Sequence, residues 1–397
     1  MRIQRFLTAA FVAVLLCTSA SARTDQLTPL VASPLTANVR PFPGTDGRLH
    51  FVYELVLTDA NPTPATLKKI EVLDASDPSK ILASYADQEL LVRLRSAGSG
   101  PADNATIEFN GTRIFLVDFT MAGTATPPAR LLHHLELLGA GSPSRKAEAP
   151  VPLSYDVAPL DVLRKVPEIS PPLSGKGWVA LNGCCGPGVH RATGLPVNGE
   201  IYFAQRFAID WMRLDEAGRL VHGDAADVQN YSAYGADVLA VADGTVVDTL
   251  NDLDDQKPGS LPDPKTITIQ NVDGNHVVLD LGDGVYAFYA HMQKGSVAAA
   301  VGDRVKRGQV LGKLGNTGNT SAPHLHFHLM EGSSVLGSNG IPYVIDSFAL
   351  AGEVPAAAFA AATGVEGDWS KGLFPTPSPR HKQFPLDLNI VDFSAGK

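Results

Sequence analysis

Residues 316–330 read NTGNTSAPHLHFHLM, and the alternation from His324 onward decides what kind of protein this is. His324, His326 and His328 occupy every second position, with Leu325, Phe327 and Leu329 between them. A period of two belongs to a β-strand, whose successive side chains point to opposite faces. The spacing therefore predicts a strand with three imidazoles on one side and an apolar face on the other. One histidine on such a face is ordinary, but three in register point to a metal or acid–base site.

The flanking sequence continues in the same period. Residues 266–292, TITIQNVDGNHVVLDLGDGVYAFYAHM, alternate around Asp273-Gly274 and Asp283-Gly284. Asn198-Gly199 interrupts LPVNGEIYF in the same way. Asn, Asp and Gly readily adopt positive φ, so each pair reads as a hairpin turn, and Asp243-Gly244 reads as the centre of a further strand pair. An antiparallel β meander follows, with no long helix. A short helix is expected within 354–364 and a last strand in FPLDLNIVDF.

Nearer the N-terminus, segments such as LHFVYELVL and RIFLVDFTM alternate between turns rich in Gly, Pro, Asp and Asn. The pattern predicts an immunoglobulin-like β-sandwich over residues 23–142. His133 and His134 are neighbours and so face opposite ways, which excludes a shared metal. Residues 143–177 are rich in Pro and Ser and read as a linker. A second β domain spans 178–350, with 351–397 as a C-terminal extension. The fold class is all-β throughout.

The first 22 residues carry Arg2 and Arg5, an apolar run and the small-residue stretch Ala20–Ala22, the pattern of a secretory signal peptide. The expected product is exported, periplasmic or extracellular, with no membrane span in the mature chain. The formal charge of −9 argues against nucleic acid as a partner, because phosphate binding needs clustered Lys and Arg. Cys184 and Cys185 are adjacent, whereas cysteines that share a zinc ion are usually two or more residues apart. They read as a local feature of the NGCCGPG loop.

Three segments in order, VLAVADGTVV, YAHM and VGDRVKRGQVLGKLGNTGNTSAPHLHFHL, resemble the lysostaphin and LytM type of zinc endopeptidase that acts on peptidoglycan. The resemblance covers roughly residues 200–332. It implies that His326 and Asp210 ligate zinc and that His291 and His324 act in catalysis. By this resemblance His324 takes a proton from water and His291 steadies the developing oxyanion, with the two roles exchangeable.

One departure stands out. The family carries a zinc-binding histidine four residues before the aspartate, where this chain has Arg206. A guanidinium has no free lone pair and stays protonated, so it cannot serve as a ligand. Placed beside Asp210 it would put positive charge in the metal position, giving a catalytically degenerate domain that binds cell wall or activates a partner hydrolase.

The hairpin at Asn198-Gly199 offers a replacement ligand. A two-residue loop sets His190 opposite Phe207, and a bulge would bring it opposite Arg206 or Ala208, on the face of Asp210. His222 is a weaker candidate. The sequence thus implies a zinc metalloendopeptidase using Asp210, His326 and His190 for metal and His291 and His324 for chemistry. Its partners would be peptidoglycan peptides, with a protein partner as a further option.

Overall fold

The computed structural model describes residues 25–97, 100–361, 365 and 367–394, so the expected signal peptide lies outside the described residues. The chain is nearly all β, with two short helices at Asp87–Leu91 and Ala356–Ala361 among the described residues. The second of these falls within the stretch where a short helix is expected.

Two sheets form the N-terminal part. In the first, Leu30–Pro34, Arg48–Asp59, Thr112–Ala122 and Leu94–Ser96 lie in that order. In the second, Val151–Val162, Arg130–Gly139, Ala65–Asp74 and Asp77–Ala86 lie side by side. Phe51, Leu55, Phe115 and Val117 of the first sheet share one core with Ile70, Val72, Leu131 and Leu135 of the second. The two sheets therefore pack face to face, as a sandwich.

Here the structure departs from the expected linker over 143–177. Val151–Val162 is a twelve-residue strand paired along its length with Arg130–Gly139. Pro152 and Pro159 concealed it, since proline cannot donate to a ladder. Among the described residues, strand pairing on the other side is confined to Asp161 and Val162, so edge-strand tolerance for proline explains both.

The second part is built on a twelve-stranded sheet. Its centre runs Asn389–Phe393, Gly175–Leu181, Ile209–Arg213, Leu325–Met330, Tyr286–Met292, Asn275–Asp280, Gly244–Leu250. Leu325, Phe327 and Leu329 are fully buried in its main core, together with Trp211, Ile209 and Tyr289. The last strand lies inside this sheet, between Val344–Glu353 and Gly175–Leu181. The tail after residue 350 is therefore an integral strand of the sheet, and Ile390, Val391 and Phe393 are buried.

The turn pairs divide. Asn198-Gly199 closes a hairpin in which Val197 faces Glu200, both turn residues having positive φ. Asp283-Gly284 likewise joins Asn275–Asp280 to Tyr286–Met292. Asp273-Gly274 closes no hairpin: it leads into Asn275–Asp280 from a long loop that begins after Leu250. Gly274 (φ +67°) is pressed so tightly against Thr317 that an added Cβ would meet the Thr317 carbonyl oxygen at 2.2 Å. The segments around Asp243-Gly244 also do not pair with each other. Asp237–Leu239 pairs with Val310–Lys313, and Gly244–Leu250 joins the large sheet. No helix among the described residues is long and apolar enough to cross a membrane.

Candidate metal and catalytic centre

Asp210 and His326 are placed by strand register. Ile209–Arg213 pairs antiparallel with Leu325–Met330, and Asp210 lies directly opposite His326. Directly opposed residues share a face, and His326 Nδ1 stands 2.9 Å from Asp210 Oδ1. His324, one residue before the strand, reaches the same oxygen with Nε2 at 3.3 Å.

His190 completes the group from outside the sheet. Its Nε2 is 3.3 Å from Asp210 Oδ2, and its Nδ1 is 3.3 Å from the Ala208 carbonyl. The Asn198-Gly199 hairpin is what folds this segment back. His190, Asp210 and His326 are all buried, and their ligand atoms lie within 4.8 Å of one another. His222 is exposed and takes no part in that group.

Arg206 does not approach Asp210. Its Nη1 donates to Glu54 Oε2 at 2.6 Å and its Nε to the Gly340 carbonyl at 3.1 Å. Glu54 belongs to the Arg48–Asp59 strand of the sandwich and is fully buried. The expectation that Arg206 would place its charge at the aspartate is thus corrected. A guanidinium pairs well with a planar carboxylate, and Glu54 provides one.

His291, the penultimate residue of the Tyr286–Met292 strand, has φ +63°. Its ring centroid lies 4.7 Å from that of His324 and 6.0 Å from that of His326. His291 Nδ1 is 2.7 Å from the Thr317 carbonyl, and His324 Nδ1 is 2.8 Å from the Ala322 carbonyl. A carbonyl only accepts, so both Nδ1 atoms carry hydrogen. In each ring, Nε2 is left as the atom that can take or give a proton.

The electrostatics follow from burial and from one carboxylate among several imidazoles. Burial alone would raise Asp210, yet the charges of His190 and His324 hold its carboxyl well below the usual carboxylate range. Burial pushes His190 and His324 down, but Asp210 outweighs it and raises both. For His326 burial wins, bringing it to about 4, and burial also holds His291 and His328 well below the ordinary histidine value.

Three further residues join the site, two of them without a sequence signal. Asn182 donates from Nδ2 to Asp210 Oδ2 at 2.7 Å. Thr320 Oγ1 stands 3.3 Å from His324 Nδ1. His328 lies behind His326, its Nδ1 3.1 Å from His326 Nε2, and its own Nε2 is buried without a partner among the described residues. For His328 the alternation itself was a signal, since it shares the face of His326. Cys184 and Cys185 form a disulfide in the loop between Asn182 and His190.

Compared with known proteins, residues 226–337 match the model of peptidase family M23. The chain carries a peptidase family M23 domain. His291, His324 and His326 fall within the matched M23 segment, whereas His190 and Asp210 precede it. Glycyl-glycine endopeptidase ALE-1 of Staphylococcus capitis is 49% identical over 61 residues, covering 15% of this chain and 16% of that protein. Peptidoglycan DD-endopeptidase ShyA of Vibrio cholerae is 40% identical over 57 residues, covering 14% of this chain and 13% of that protein. The M23 similarity thus spans under a fifth of either relative's length. The solved catalytic domain of lysostaphin from Staphylococcus simulans is 22% identical, covering 42% of this chain and 84% of that one with a TM-score of 0.22.

Proposed function

We propose that the chain is an exported zinc metalloendopeptidase that cleaves peptide cross-links of peptidoglycan. The observation that carries this reading is the buried trio of His190, Asp210 and His326, with His324 and His291 beside it. Two imidazole nitrogens and a carboxylate oxygen are a donor set that suits zinc, which in hydrolytic sites takes three protein ligands and keeps a fourth position open. Bound there, zinc would lower the pKa of a water molecule and polarise the scissile carbonyl.

The chain's own residues do the rest. Asp210 is oriented by Asn182, and His326 is braced from behind by His328. His324 and His291, each fixed through Nδ1, move protons at Nε2 or hold one against the developing oxyanion. The engagement of Arg206 by Glu54 and the Gly340 carbonyl supports the catalytic reading over a degenerate one. Two of the relatives are named for peptidoglycan or glycyl-glycine cleavage, which supports the substrate class.

The test is digestion of purified peptidoglycan sacculi by the chain, read as loss of cross-linked muropeptides by mass spectrometry. Activity that disappears with a chelator, returns with zinc, and is absent in His324→Ala supports the reading. Zinc-loaded protein that leaves every cross-link intact on both glycine-bridged and directly cross-linked peptidoglycan overturns it.

A further inference from the structure

Of the three residues assigned to the metal, two are positioned by the sheet and one is not. Asp210 and His326 are register partners on adjacent strands. His190 sits in an irregular segment between the Gly175–Leu181 and Leu195–Val197 strands, with no ladder of its own. Something else must hold it, and the hydrogen bonds around it show what.

Arg191, the next residue, is 1% exposed and points into the N-terminal sandwich. Its Nη1 bonds Glu54 Oε1, and its Nη2 donates to the Tyr53 carbonyl at 2.7 Å. The other oxygen of the same carboxylate, Oε2, accepts from Arg206. Arg206 opens the short segment that carries the Ala208 carbonyl, which receives His190 Nδ1, and then Asp210. One fully buried carboxylate therefore ties down the backbone on both sides of the His190 ring. Apolar packing runs beside it: Ile114 and Leu116 of the sandwich meet Phe203 and Ala192.

We propose that Glu54 is a positioning residue for the metal site. Through Arg191 and Arg206 it fixes His190 against Asp210, so the site is complete only with the sandwich docked. The sandwich is then part of the catalytic scaffold. This inference rests on the reading of His190 as a metal ligand. The physical logic is that a planar carboxylate bridging two guanidinium forks sets orientation as well as proximity, which a single ion pair does not. A ligand carried on an irregular segment gains most from such a brace, since its geometry must be right to within a fraction of an ångström.

The experiment uses the full chain and three variants. Glu54→Gln removes the bridging charge, and Arg191→Lys keeps charge but loses the fork. Leu135→Ala, in the sandwich core and outside the hydrogen bonds of Glu54, Arg191 and Arg206, serves as a control for lost stability alone. In the metal-free proteins, the nuclear Overhauser contact between the His190 and His326 rings is measured, their centroids being 4.8 Å apart in the parent. Cobalt(II) affinity is then measured from its visible absorption. The expected result is a weakened ring contact and at least tenfold weaker cobalt binding in Glu54→Gln, with Arg191→Lys showing the same loss in smaller degree. Leu135→Ala is expected to stay within about twofold of the parent. An unchanged ring contact in both triad variants overturns the proposal, as does a loss in Leu135→Ala equal to theirs. A parent that keeps the ring contact but binds no metal instead refutes the functional reading above.

Discussion

His133 makes a sharp prediction about acid stability. It is fully buried in the sandwich, with Nδ1 2.7 Å from the Ala158 carbonyl and Nε2 2.7 Å from the Tyr53 hydroxyl. The neutral ring satisfies both partners, donating to the carbonyl and accepting from the phenol. A charged ring would gain no partner and lose its hydration, so burial brings its pKa from 6.5 down to about 4. As pH falls below 6.5, the unfolded chain takes a proton here and the native one does not. The unfolded state binds more protons across the window, so stability is complete above pH 6.5 and is lost as pH falls toward 4. At about 1.36 kcal/mol per pH unit the full loss is about 3.4 kcal/mol, of which about 2 kcal/mol falls between pH 6.5 and 4.5. His133→Gln supplies a carbonyl and an amide that do not titrate. Urea denaturation of parent and variant, followed by far-ultraviolet circular dichroism at pH 6.5, 5.5 and 4.5, isolates the contribution, because every other group cancels in the difference. The parent should lose about 2 kcal/mol more than the variant over that range. Parallel curves, with a difference under about 0.5 kcal/mol, would refute the reasoning.

Other outcomes follow from particular contacts. Glu54→Gln alone should destabilise the protein by about 3–5 kcal/mol by stranding two buried guanidiniums, whereas replacing Glu54, Arg191 and Arg206 together with apolar residues should recover most of that loss in urea melts. Gly274→Ala forces a Cβ into the Thr317 carbonyl that anchors His291, so peptidase turnover should fall at least tenfold while zinc content holds. His328→Leu removes the partner of His326 Nε2, and zinc affinity measured by competition with a chelator should weaken by about 10–100-fold.

What could be read from the sequence was what depends on local period and turn chemistry. The alternation through His324, His326 and His328 gave the strand and its two faces, although both faces proved buried, the histidine side sharing its face with Phe288 and Met330. Asn198-Gly199 gave the hairpin that carries His190 back toward Ala208. Periodicity failed where proline interrupts an edge strand, as in Val151–Val162. A strand from the far end of the chain, Asn389–Phe393, lies inside the sheet beside Gly175–Leu181, and strand order in a sheet leaves no trace in local periodicity. The same limit hid Asn182, 28 residues from Asp210, and Glu54, 152 residues from Arg206. Arg206 in particular read as an obstacle because its neighbours in sequence include Asp210, while its partner in space belongs to another sheet.

The central claim is that His190 supplies the imidazole that Arg206 cannot. Elemental analysis of the purified chain, reconstituted with zinc and compared with His190→Ala, tests it most directly. The account predicts about one zinc per chain in the parent and little or none in the variant under the same dialysis. A parent that takes up no zinc, or a variant that holds it as tightly as the parent, would contradict it.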